Sequence, residues 1–107
     1  MMRALVLILG LASFSAFSQN MDGKVVIEYN ASWNTSNGYK NLGRLNGAKL
    51  YRVNLEKNPS VKDKYNIKSV PCIILFRDGK EVWRWEAGLD MQVHTHYLDI
   101  QDAINRF

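Results

Sequence analysis

Few side chains in this sequence can do chemistry, and their spacing restricts what they can do. Cys72 is the one cysteine. A single thiol cannot close an intramolecular disulfide, build a cysteine-rich zinc site or cycle as a dithiol. It can serve as a small apolar residue of a core strand, as a reactive monothiol, or as half of an intermolecular bridge. No histidine or lysine adjoins it to lower its pKa, which favours the core role. His94 and His96 stand two apart. On a helix that spacing turns them to opposite sides. On an extended segment no carboxylate or cysteine completes a metal-ligand set. Neither a metal nor another cofactor is expected. The polar run Trp33-Asn34-Thr35-Ser36-Asn37 offers hydroxyls and carboxamides. Its hydroxyls have pKa values far above neutral and no base stands beside them, so they are not expected to act as nucleophiles. Asn30-Ala31-Ser32 and Asn34-Thr35-Ser36 also fit the glycosylation pattern, which is common by chance.

The surrounding sequence indicates what holds these residues. Lys24-Val-Val-Ile-Glu-Tyr29 reads as a buried strand with one odd member, Glu28. A polar loop over 30–38 follows, feeding a helix capped by Asn34, Thr35 or Ser36. Tyr39, Leu42 and Leu45 give that helix an apolar face, weakened by Gly43 and closed near Gly47. Lys49-Leu-Tyr-Arg-Val-Asn-Leu55 is a second strand, parallel to the first because the connection is helical. Asn58-Pro59 opens a short helix with Val61 and Tyr65 facing inward. Val70-Pro-Cys-Ile-Ile-Leu-Phe76 and Glu81-Val-Trp-Arg-Trp85 flank an Asp78-Gly79 turn and form a hairpin. Trp83 and Trp85 share a face, expected to pack under a terminal helix. That helix carries Val93, Tyr97, Ile100, Ile104 and Phe107 along one stripe. The sum is an α/β fold, a mixed four-stranded sheet with helices on both faces.

Taken in order, these segments resemble the thioredoxin-like superfamily. Val25-Val-Ile-Glu-Tyr-Asn-Ala-Ser-Trp33 is similar to its central strand and Trp-containing loop. Tyr65-Asn-Ile-Lys-Ser-Val-Pro71 is similar to the run into its cis-proline, and Gly88 to the glycine beside the site. The resemblance implies a cis Val70–Pro71 bond and a groove formed by Trp33, the 34–37 loop, Val70 and Pro71, with Cys72 close to that loop. It also places Glu28 where relatives often carry a buried acid and Arg52 where they often carry a lysine. On adjacent strands, these two are expected to form a partly buried ion pair rather than a proton relay.

The departure is at the motif itself. In that family Trp is followed by Cys-x-x-Cys, whereas here both cysteine positions hold asparagine, Asn34 and Asn37. Disulfide exchange requires thiolate attack on sulfur, and a carboxamide neither ionises nor stores electrons. Dithiol oxidoreductase activity is therefore not expected. The expected role is binding of an extended polypeptide in the proline groove, with monothiol exchange at Cys72 as the alternative.

At 107 residues, with Lys+Arg 14 against Asp+Glu 10, the chain is one domain of formal charge +4. Its basic residues are dispersed, Lys62, Lys64 and Lys68 being the closest set, which argues against a nucleic-acid partner. The first eighteen residues read as a signal peptide: Arg3, an apolar stretch over 4–12, and the small-x-small site Ala16-Phe17-Ser18 before Gln19. The apolar stretch is shorter than the ~20 residues that span a bilayer. A domain over 19–107 in the periplasm or secreted, with no membrane attachment after cleavage, is expected.

Overall fold

The computed structural model describes residues 21–107, so the signal peptide expected over 1–18 lies outside the described residues. Four strands form the expected mixed sheet: β1 (Lys24–Asn30), β2 (Lys49–Asn54), β3 (Cys72–Arg77) and β4 (Lys80–Glu86), in the order β2-β1-β3-β4. β1 runs parallel to β2 and antiparallel to β3, and β3 and β4 form the hairpin. Asp78 and Gly79 turn that hairpin at φ 51° and 82°, the left-handed backbone that Asp-Gly accepts readily.

Alternation along β1 and β3 divides the core in two. Val25, Ile27, Tyr29, Cys72, Ile74 and Phe76 face α1 (Pro59–Lys64). Val26, Ile73 and Leu75 face α2 (Tyr97–Arg106). Both central strands are buried on both faces, which is why they read as continuous apolar runs.

Two expectations about helices need correction. The helix expected over 39–45 is not an α-helix. The chain makes one 3-10 segment at Ser32–Asn37 and another at Leu42–Arg44, and Asn34, Thr35 and Ser36 lie inside the first rather than capping a helix. Tyr39, Leu42 and Leu45 are nevertheless all buried. Spacing of three fits the three-residue turn of a 3-10 helix as well as an α-helical face, and glycines at 38, 43 and 47 deny the segment the propensity an α-helix needs. The terminal helix begins at Tyr97, four residues later than the stripe implies. Val93 packs on the core from the preceding loop, and the His96 ring caps the helix by accepting from the Leu98 N–H at 3.2 Å. Trp85 packs on the α2 side as expected, but Trp83 is 54% exposed and stacks on Phe107.

Candidate functional site

The site forms where β1 ends. Its backbone runs through Ala31 into the first 3-10 segment, so the Trp33 loop is anchored on one of the two buried central strands of the sheet. Asn34 is only 2% exposed. Its Nδ2 group donates toward Asn30 Oδ1 at 3.1 Å, Met91 O at 3.2 Å and Val70 O at 3.3 Å. Asn30 answers by donating to Asn34 O at 3.1 Å. One buried carboxamide thus joins β1, the loop before the proline and the loop after β4. A buried amide is tolerated because every polar atom it carries is engaged.

Asn37 Nδ2 donates to Asn34 Oδ1 at 2.8 Å. The two side chains at the motif's cysteine positions therefore meet, and an amide–amide hydrogen bond stands where relatives place a disulfide. This bond has no electron-transfer chemistry. The loop is pinned from the other side by Asn54, which donates to Ser32 Oγ at 2.7 Å, and by Glu56, which accepts from the Ser32 N–H at 2.7 Å. The Ser32 hydroxyl, and after it the Ser32 N–H, hold the Glu56 carboxyl below its ordinary range.

Beneath the loop, Glu28 and Arg52 face each other in register on β1 and β2. Glu28 is 1% exposed, and its carboxylate accepts from Arg52 Nη1 and from the Tyr39 N–H at 2.6 Å. Arg52 Nη2 donates to Tyr39 O at 2.8 Å. Carboxylate and guanidinium together clamp both backbone polar groups of one residue, Tyr39. Gly38 permits this approach, since a Cβ there would come within 3.3 Å of Arg52 Nη1. Burial raises the Glu28 pKa more than Tyr39 and Arg52 lower it. The group has no thiol to serve, and its work is to fix the chain after the loop.

The sequence-derived groove is only partly assembled as one surface. The Val70–Pro71 peptide is cis. Trp33, 65% exposed, and Val70 line a cleft of about 310 Å³. Asn34 forms its buried backing rather than its lining, and Thr35 lines a separate depression over Glu28 and Arg52. Ser36 is exposed and not in the cleft, Asn37 is half-buried behind Asn34, and Pro71 is buried. The remaining walls come from Leu55, Ile67 and Met91, with Glu56, Lys62 and Lys68 also lining it. Sequence reasoning missed these because they belong to four separate segments that no periodicity links. The closeness of Lys62 and Lys68 was the one available signal.

Cys72 is 0% exposed, on the α1-facing side of β3 among Tyr29, Ile74 and Phe76. Burial pushes its thiol up to about 11, against a smaller opposing pull from Arg84. At neutral pH the thiolate is then scarce, and no path leads a disulfide to it. Iodoacetamide at pH 7 is expected to leave Cys72 unmodified in the folded protein and to label it promptly in denaturant. Rapid labelling of the folded protein would show an accessible thiol. His94 and His96 go to different partners: His94 pairs with Asp90, and His96 caps α2. Among the described residues no group of three His, Cys, Asp or Glu side chains converges, and no helix is long and apolar enough to cross a membrane.

Comparison with known proteins agrees with this geometry. The chain is similar to the thioredoxin of Schistosoma mansoni, with a TM-score of 0.63 over 87% of this chain and 84% of that one. At 22% identity that likeness concerns the fold alone. It is 30% identical to chloroplastic thioredoxin Y2 of Arabidopsis thaliana, over 72% of this chain and 50% of that protein. It is 46% identical to the thioredoxin of Chlamydia caviae over a 33-residue stretch, 31% of this chain and 32% of that one. The chain spans about half the length of the first two curated relatives it matches. The thioredoxin family model matches residues 6–98, and with the sheet order and the proline loop in agreement, the chain belongs to the thioredoxin family, with asparagine at both positions of its redox motif.

Proposed function

We propose that this domain binds extended polypeptide without exchanging disulfides, and that it does so outside the cytoplasm after removal of residues 1–18. One observation carries the reading: the cleft beside the Trp33 loop pairs an exposed indole and an exposed Met91 with an apolar floor of Leu55, Ile67 and Val70. Its volume of about 310 Å³ lies at the small end of ligand sites, which run ~300–1,000 Å³, and suits one or two side chains of a peptide. Exposed tryptophan beside a pocket is the usual anchor of such contacts. The Asn34 contact occupies one lone pair of the Val70 carbonyl, so the cleft supplies more of the grip than backbone pairing does. Monothiol exchange at Cys72 is the weaker reading, because that thiol is buried and protonated.

Two exposed tryptophans on different surfaces give the test its control. Trp33→Ala is expected to weaken binding of an unfolded, carboxymethylated protein probe at least tenfold by titration calorimetry. Trp83→Ala is expected to leave it unchanged. Equal losses, or no loss in Trp33→Ala, would remove the cleft from consideration. For export, the mature N-terminus recovered outside the cytoplasm is expected to be Gln19 by mass spectrometry, and an intact Met1 there would contradict cleavage.

A further inference from the structure

The cleft also has a sign. Among the residues lining it, Lys62, Lys68 and Glu56 carry charge. One oxygen of the Glu56 carboxylate accepts from the Ser32 N–H, and its charge leaves the lining net positive by one, two lysines against one carboxylate. Lys62 and Lys68 are exposed and take part in none of the ion pairs among the described residues. Lys62 sits on α1 and Lys68 follows Ile67, so both free ammonium groups stand beside an apolar wall of Trp33, Ile67, Val70 and Met91. Two uncommitted cations bordering an apolar surface complement an extended chain whose cleft-facing residues, two positions apart, are apolar and acidic in turn. Opposed charge sets partner choice and register more than raw affinity.

Resting on the polypeptide-binding reading, we propose that the cleft selects acidic segments, with an apolar side chain seated against Trp33 and Met91 and the carboxylates two positions to either side set against Lys62 and Lys68. Neutral segments bind more weakly, and basic ones are repelled.

The test uses three N-acetylated, C-amidated dodecapeptides of repeating Leu-Ser-Glu-Ser, Leu-Ser-Gln-Ser and Leu-Ser-Lys-Ser (the Leu-Glu, Leu-Gln and Leu-Lys peptides), in which leucine and the varied residue share one face of the extended chain and no free terminus mimics a carboxylate. The wild-type domain is expected to bind the Leu-Glu peptide about tenfold more tightly than Leu-Gln, and Leu-Lys least. Rising salt should compress that order, because exposed charges are screened. The double variant Lys62→Glu with Lys68→Glu should invert the order and keep the wild-type circular dichroism spectrum, since neither side chain holds another part of the fold. Trp33→Ala should weaken all three peptides alike. Equal binding of the three by wild type, or an unchanged order in the double variant, overturns the acidic selectivity while leaving polypeptide binding in place. If wild type binds none of them, both readings fall together.

Discussion

Replacing Asn34 and Asn37 together by cysteine is expected to convert a domain with no insulin-reducing activity into one with measurable turnover. The wild-type protein should remain at background at every pH, because neither carboxamide can form a thiolate and the one thiol is buried. In the double variant the two sulfurs would replace side chains that already meet through a 2.8 Å contact. Mild oxidation should then remove two hydrogens from the mass and two titratable thiols. Asn34 is buried and joins three segments, and cysteine cannot reproduce those bonds. Each hydrogen bond contributes ~0.5–1.5 kcal/mol net, and leaving an acceptor unsatisfied costs more. The reduced variant should therefore be less stable than wild type by roughly 1–3 kcal/mol, and it should turn over slowly because its attacking position lies under the surface. Insulin reduction by the unaltered chain would refute the electronic argument. Two cysteines that never join under oxidant would show that the loop does not present these positions as the motif does.

The amide pair explains why the loop keeps its shape without sulfur. A disulfide holds such a loop covalently in one redox state only. The Asn34 network does not depend on redox state, holding the loop through acceptors on three segments, with Ser32 fixed from the side by Asn54 and Glu56. The loop thereby presents Trp33 to solvent from a rigid base, which limits the conformational entropy lost when a ligand settles on it.

The sheet was legible because its central strands are short, β-branched and buried on both faces, and because Asp78-Gly79 marks a hairpin on local chemistry alone. Glu28 and Arg52 were legible as a pair once their strands were adjacent, because register then places them opposite one another. The segment over 39–45 was not, since a three-residue spacing is shared by two helix types and only the glycines separate them. The cleft was least legible. Leu55 follows β2, Lys62 lies on α1, Ile67 precedes the proline and Met91 follows β4. Their meeting depends on how the loops close over the sheet, and the Asn34 carboxamide organises that closure through Val70 and Met91, which no pairwise spacing records.

Arg52→Met is expected to destabilise the domain by about 3 kcal/mol at neutral pH, at the lower end of the ~3–5 kcal/mol seen when one partner of a buried pair is removed, because the Arg52 side chain is itself 52% exposed. For a small domain that is a large share of total stability. The loss should depend on pH in a definite direction. Burial already raises the Glu28 pKa above its unfolded value, and losing Arg52 raises it further. A raised carboxyl favours the folded state most when it is protonated, so its contribution is present below the unfolded pKa and is lost as pH climbs through the folded one. The penalty of Arg52→Met should therefore be small in mild acid, where Glu28 takes up a proton, and should grow toward neutral and alkaline pH. Urea unfolding across that range measures it. Pairing the change with Glu28→Gln should recover much of the loss at high pH, since the orphaned charge is then gone while the amide can still accept from the Tyr39 N–H. A penalty that is flat with pH, or a double variant as unstable as the sum of its parts, would mean that Arg52 acts through its packing and its bond to Tyr39 O rather than by neutralising a buried carboxylate.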